Sequence, residues 1–248
     1  GVGKSALAVQ IADYAASRGR LAYIASLEMT GRELAMRSIC SHANVDSKAL
    51  RTGRLTPDDR TKLVQSMSVY AQRKIKVDMR PDLTVEQLAR TVRRLMSGGL
   101  ELVVVDYLGL LKPSDQSVKR YEQVGHQTRT LKLLARETGV RLMVLCQLSR
   151  AAAEDKMPPQ LHHLRESGSI EQDADTVLFI HRPEDGIELP DPDDKRKKIK
   201  ANWPAELLVA KQRNGGTGRF KLAWEGRVTK FSCYGYQMEA FTEFAEFA

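Results

Sequence analysis

The chain has 248 residues, 42% hydrophobic and 28% charged, enough apolar content for one large core, so a single undivided α/β domain spanning 1–248 is expected. Lysine and arginine number 39 against 31 acidic residues; the net charge of +8 and the pI near 9.4 favour a polyanionic partner if the excess clusters on one face. Three distant cysteines, Cys40, Cys146 and Cys233, exclude a disulfide framework and a zinc site, and no apolar run approaches the ~18 residues that span a bilayer, so a reducing, cytoplasmic setting without a membrane partner is expected.

The chain opens at Gly1-Val2-Gly3-Lys4-Ser5, after which Leu7, Ala8, Ile11, Ala12 and Ala15 recur at helical spacing until Gly19. Leu21–Ser26 is a short apolar run that predicts a strand, and Thr30-x-x-Glu33 a capping box for a helix to about His42. Thr56-Pro57-Asp58 supplies a capping hydroxyl, a first-turn proline and acidic charge for another helix. Thr84-x-x-Gln87 caps a helix that Gly98-Gly99 ends, and Leu100–Val105 predicts a strand buried on both faces that delivers Asp106 at its carboxyl end. A polar loop over Pro113–Lys119 leads to a helix over Tyr121–Thr138 closed by Gly139, then to a second buried strand, Val140–Cys146, ending at Gln147. Thr176–Ile180 and Glu206–Ala210 are further candidate strands, the latter running through Lys211-Gln212-Arg213 and the turn Asn214-Gly215-Gly216 into a hairpin with Phe220–Trp224. This order predicts a mainly parallel twisted sheet with helices on both faces and a C-terminal antiparallel hairpin, with ligands beyond the carboxyl ends of the strands.

Gly1-x-Gly3-Lys4-Ser5 reads as the latter part of a Walker A loop or as a glycine-rich turn before an ordinary helix. In the first reading, backbone amides at the helix N-terminus cradle the phosphates of ATP, with Gly1 and Gly3 in the loop. Lys4 then neutralises the β- and γ-phosphates and Ser5 places its hydroxyl on Mg²⁺. The leading glycine of the motif and the strand feeding it are expected before residue 1. Asp106, a carboxylate at the end of a buried strand, suits the Walker B role of orienting the magnesium and its waters. Glu28, at the same expected rim, is either the general base for the attacking water or a surface carboxylate before a helix. Gln147 is either a γ-phosphate sensor relaying to Ser149-Arg150 or a strand-end amide.

Five segments in chain order resemble the motifs of DnaB-type replicative DNA helicases: Ser26-Leu27-Glu28-Met29, Val104-Val105-Asp106-Tyr107, Gln147-Leu148-Ser149-Arg150, the stretch from Arg165-Glu166-Ser167-Gly168 to Asp173-Ala174-Asp175, and Lys211-Gln212-Arg213-Asn214-Gly215. The resemblance implies a RecA-like P-loop ATPase fold. It also implies a homohexamer that encircles single-stranded DNA, moves 5′ to 3′ by hydrolysing Mg-ATP at subunit interfaces, and unwinds the duplex of a replication fork. By the same resemblance Lys4 and Ser5 take the Walker A roles, Glu28 is the catalytic base, Asp106 the Walker B carboxylate and Gln147 the γ-phosphate coupler. Arg213 would be an arginine finger acting on the neighbouring subunit's ATP, with Lys211 beside it. Arg165, Glu166 and Gly168 would track DNA phosphates, an interaction that reads no bases and depends on salt. A primase and a helicase loader are the implied partners. The family's helical N-terminal domain and linker are expected outside this chain, and Gly216 stands where the family usually has proline.

Other features read more plainly. Pro190–Lys198 has acidic and basic halves that nearly cancel, and its prolines favour a solvated surface loop over a DNA-contacting patch. His162-His163 lacks a cysteine or carboxylate at ligand spacing and reads as a polar loop. Phe241, Phe244 and Phe247 give the tail from Tyr234 an amphipathic pattern that packs on its own domain or docks elsewhere on a ring or a partner. A RecA-like recombinase and a non-catalytic, nucleotide-stabilised ring component are the competing functions. Glu28, Gln147 and Arg213 together argue against the second, since binding alone needs none of them.

Overall fold

The computed structural model describes residues 2–115, 117–149, 158–182, 188–190, 198–200 and 204–233; for 165–167, 188–190, 198–200 and 204 it describes the backbone alone. Helix α1 (Lys4–Ser17) starts on Gly3 and buries Ala6, Ala8, Val9, Ala12 and Ala16. Strand β1 (Leu21–Ser26) is buried at every position, as its unbroken apolar run requires. Between β1 and its edge neighbour β2 (Ile75–Asp78) come helices α2 (Gly31–Ala43), α3 (Ser47–Thr52) and α4 (Pro57–Tyr70). Thr30 and Glu33 cap α2 reciprocally, with Glu33 N–H 3.3 Å from the Thr30 hydroxyl and Thr30 N–H 2.9 Å from the Glu33 carboxylate. Thr56 and Asp59 do the same for α4, and Thr84 and Gln87 for α5 (Val85–Met96).

Strand β3 (Leu100–Asp106) lies beside β1, helix α6 (Arg120–Thr138) ends on Gly139 at φ 71°, and β4 (Arg141–Val144) completes a parallel sheet of order β2-β1-β3-β4. Alternate side chains of the central strands divide between two cores. Leu21, Tyr23, Ala25, Val103 and Val105 pack against α5 and α6, while Ala22, Ile24, Leu102 and Val104 pack against α1 and α2. Each inner strand is thus covered by helices on both faces, the arrangement its composition predicts.

The Val140–Cys146 expectation is corrected in two respects. The strand itself is only Arg141–Val144, and its side chains are partly exposed because β4 is the edge of its sheet. The ladder continues one step, Leu145 N–H donating to Val105 carbonyl at 2.9 Å, before Leu145 carbonyl accepts from Leu108 N–H at 2.9 Å and the chain turns away.

After a 3₁₀ segment (Leu161–Ser167) and the short helix α7 (Gly168–Asp173), strands β5 (Thr176–His181), β8 (Pro204–Gln212), β9 (Gly218–Glu225) and β10 (Lys230–Cys233) form an antiparallel sheet of order β10-β9-β8-β5. The expected hairpin is β8–β9. The stretch read as a solvated loop is flanked by a short antiparallel pair, β6 (Glu188–Pro190) and β7 (Lys198–Lys200), and its residues 191–197, like the tail from Tyr234, lie outside the described residues. The second sheet packs on helix α1 through Trp224 and Phe231, whose ring centroids are 4.5 Å apart, with Ala6 of α1 and Ala205 of β8. Gln10 fastens this junction by donating to Phe231 carbonyl at 2.6 Å and accepting from Phe231 N–H at 3.0 Å. Among the described residues no helix is long and apolar enough to cross a membrane.

Candidate functional site

The start of α1 and the carboxyl ends of β1 and β3 converge on Asp106. Ser26 is the register partner of Asp106, and Leu27 N–H donates to Asp106 carbonyl at 2.8 Å, so Glu28 leaves the sheet at the same rim. The turn that carries Glu28 is held by the buried Ser26 hydroxyl, which donates to Met29 carbonyl at 2.6 Å. Asp106 itself is 3% exposed. Burial raises its carboxyl above the usual range; the Ser5 hydrogen bond lowers it, Glu28's charge adds to the rise, and Lys4 and Arg37 oppose it. Five side chains from four segments of the chain therefore share one electrostatic site.

Lys4 also faces the end of β4: the Cys146 thiol is pushed up to about 11 by burial, with the Lys4 charge working against the shift. Gln147 follows Cys146 at this rim and is exposed. Arg37, which belongs to none of the sequence motifs, stands one helical turn beyond buried Leu34 on α2, a placement common to charged residues of amphipathic helices that gives no sequence signal of its own. A cleft of about 110 Å³ runs from Ser5 along α1, lined by Val9, Gln10, Arg37, Ser38 and Lys230.

Gly3 has φ 105°, and a Cβ there would lie 2.7 Å from Phe231 Cζ and 2.9 Å from Cε2. The end of the loop is thus fitted to the aromatic pair of the second sheet. Gly3→Ala must bear about 1–3 kcal/mol of backbone strain plus displacement of the ring. Gly19→Ala, at φ 79° with nothing within 4 Å, bears the strain alone. We expect both variants to unfold at lower temperature in calorimetry, but only Gly3→Ala to lose nucleotide affinity, by about tenfold or more, since a ~1.4 kcal/mol distortion at the loop already corresponds to that factor. Equal nucleotide affinity in the two variants would refute the fit.

Arg213 and Lys211 occupy the other end of β8. Arg213 N–H donates to Asp175 carbonyl at 2.8 Å and its Nη1 lies 3.3 Å from Asp175 Oδ1, while Lys211 Nζ donates to Glu171 carbonyl. The hydrogen-bond partners of both side chains are thus in the segment Glu171–Asp175. A Cβ at Gly216 would meet open space, so this position imposes no packing demand on the hairpin. Gly1 and the side chains of Arg165 and Glu166 lie outside the described residues; Gly168 is exposed at the start of α7. Leu164 anchors that region against Val177, Phe179 and Leu208, and Thr128 of α6 donates to Asp173 Oδ2 at 2.8 Å. His163 is buried, its Nδ1 2.9 Å from Gln160 N–H and its ring centroid 4.0 Å from that of His162.

Residues 1–233 match the family described as DnaB-like helicase C terminal domain. The chain is 39% identical over 235 residues to replicative DNA helicase DnaB of Geobacillus stearothermophilus, and 38% identical over 235 residues to replicative DNA helicase DnaC of Bacillus subtilis (strain 168). Each alignment covers 93% of this chain and 50% of the relative, so the chain spans about half the length of the curated relatives it matches. A solved DnaB-like replicative helicase, described with its interactions with primase, superposes with a TM-score of 0.85 at 28% identity over 94% of this chain and 55% of that one. A solved ATPase domain superposes with a TM-score of 0.84 at 28% identity, covering 94% of this chain and 81% of that chain.

Proposed function

This chain belongs to the family of DnaB-like helicase C-terminal domains, and we propose that it is the ATP-hydrolysing motor domain of a replicative DNA helicase. The observation that carries this reading is the meeting of Lys4, Ser5, Glu28 and Arg37 around the nearly buried Asp106. The donor set fits a magnesium nucleotide. A buried carboxylate whose charge is disfavoured by desolvation gains from a divalent cation, and a hydroxyl beside it is a suitable hard ligand. Asp106 and Ser5 would hold the metal, which when bound shields the phosphate charge. Lys4 then neutralises the β/γ region at the start of α1, and Glu28 takes the proton of the attacking water. Gln147 responds to the γ-phosphate from the end of the neighbouring strand. Arg213, with Lys211, completes the site of the next subunit, in keeping with an exposed guanidinium directed by Asp175 and not by Asp106.

The full protein is then a cytoplasmic homohexamer that moves 5′ to 3′ along single-stranded DNA and opens a forked duplex, with a primase and a loader as partners. Arg165, Glu166 and Gly168 hold DNA phosphates; the excess of 39 basic over 31 acidic residues is compatible with a polyanion in the ring. Strand displacement on a forked substrate by the full-length protein is the deciding experiment. ATP-dependent displacement supports the helicase, whereas ATP-dependent strand exchange without displacement would favour the recombinase. Arg165→Ala is expected to weaken single-stranded DNA binding equally across sequences. It should also flatten the plot of log affinity against log salt by about 0.7 for each phosphate no longer neutralised. Unchanged affinity and slope in anisotropy titrations would remove Arg165 from the DNA path.

A further inference from the structure

Arg213 is held at two points by one residue. Its backbone N–H bonds to Asp175 carbonyl at 2.8 Å and its guanidinium meets Asp175 Oδ1 at 3.3 Å, while Asp175 Oδ2 is gripped by Lys132 of α6. The Arg213–Asp175 side-chain pair alone would count for little, since both partners are more than half exposed. The backbone bond and Lys132, whose side chain is only 17% exposed, convert it into a fixed mount. The Lys132 hydrogen bond, with the charges of Lys132, Arg213 and Lys211, holds the Asp175 carboxyl below the usual range, so it stays ionised at neutral pH. Two residues before Arg213, Lys211 is tied to Glu171 carbonyl inside α7. Both cations at the end of β8 are therefore fastened to the segment that follows Arg165–Gly168.

We propose that Asp175 is a positioning residue for Arg213, the joint through which the segment 165–173 sets where the guanidinium is presented. This rests on the arginine-finger reading given above and deepens it. Among the described residues Asp175 is the side-chain partner of the guanidinium, through Nη1, which leaves the other N–H groups available to an anion. Lys132 keeps Asp175 in register with α6, which also holds α7 through Thr128 and Asp173. A displacement of α7 by DNA would reach Lys211 at residue 171 and Arg213 at residue 175 together. The finger and the DNA segment then move as one body.

The test is a double-mutant cycle in the full-length protein, read by single-turnover ATP hydrolysis with single-stranded DNA, which still measures the slow rate of an Arg213→Ala variant. Asp175→Asn keeps shape but removes the charge. With Arg213 present it is expected to lower the hydrolysis rate by about tenfold to a hundredfold, as for a catalytic group misplaced by about an ångström, while the ATP concentration at half-saturation moves less than about twofold. Lys132→Met should give a smaller loss of the same kind. In an Arg213→Ala background neither substitution should slow the reaction further, because the group they position is gone. An equal loss in both backgrounds, or no loss with Arg213 present, overturns the proposal. Wild-type turnover in Arg213→Ala alone would instead overturn the finger reading and this inference with it.

Discussion

Lys4→Ala should lose about 10²–10³-fold or more in ATP turnover, because the ammonium is a preorganised positive charge at a site of accumulating negative charge. The structure gives the size of this effect a physical basis. Lys4 begins α1, where free N–H groups and the helix dipole already favour anions, and its charge is felt at both Asp106 and Cys146. A methyl group restores none of that, and it leaves Asp106 with less opposing positive charge. Glu28→Gln should behave differently. It keeps the side chain's shape but replaces a carboxylate oxygen with an amide NH₂ and so removes the proton acceptor; turnover falls by about 10²–10⁴-fold while nucleotide binding survives. Steady-state hydrolysis and fluorescent-nucleotide titration separate the two. Normal turnover in Lys4→Ala would remove the phosphate-loop assignment; loss of binding in Glu28→Gln would move Glu28 from proton transfer to nucleotide binding.

The elements that carry this site were legible because their signals are local. Leu21–Ser26 is buried throughout and Leu100–Asp106 everywhere but at Glu101, so apolar runs mark both strands, and three hydroxyl-first caps mark helix starts. Strand β2 gives only a weak signal because it is four residues at an edge, Ile75-Lys76-Val77-Asp78, and its alternation of two apolar residues with two charged ones is too short to stand out. Helix α3 is six residues long with nothing buried, although Asp46 caps it by accepting from Lys48 and Ala49 N–H. Arg37 needed the fold: only the packing of α2 against α1 brings its charge to Asp106. The same holds for Phe231, whose ring abuts Gly3 from the far end of the chain, an approach to which no spacing rule points. Asp175 was visible as part of a motif, but its role as a mount required seeing Lys132 and Arg213 meet on its carboxylate.

Arg213→Ala should cut ATP turnover by about 10³–10⁵-fold, the range an arginine finger contributes in GTPases, and should do so in the neighbour's site. The Arg213 side chain is 65% exposed on the turn after β8, where it meets Asp175, so most of its guanidinium is open to an approaching anion. A finger acting in trans makes the two kinds of lesion complementary. In rings assembled from Arg213→Ala and Lys4→Ala subunits, some interfaces receive both lesions, whereas others pair an intact Lys4 with an intact Arg213. Those latter sites should regain hydrolysis although neither variant alone turns over ATP. Activity plotted against mixing ratio under conditions of subunit exchange should therefore pass through a maximum. A finger acting in cis places every subunit's fate in its own sequence, and the plot stays flat. A flat plot in rings proven to be mixed by native mass spectrometry would return Arg213 to the status of a hairpin arginine paired with Asp175.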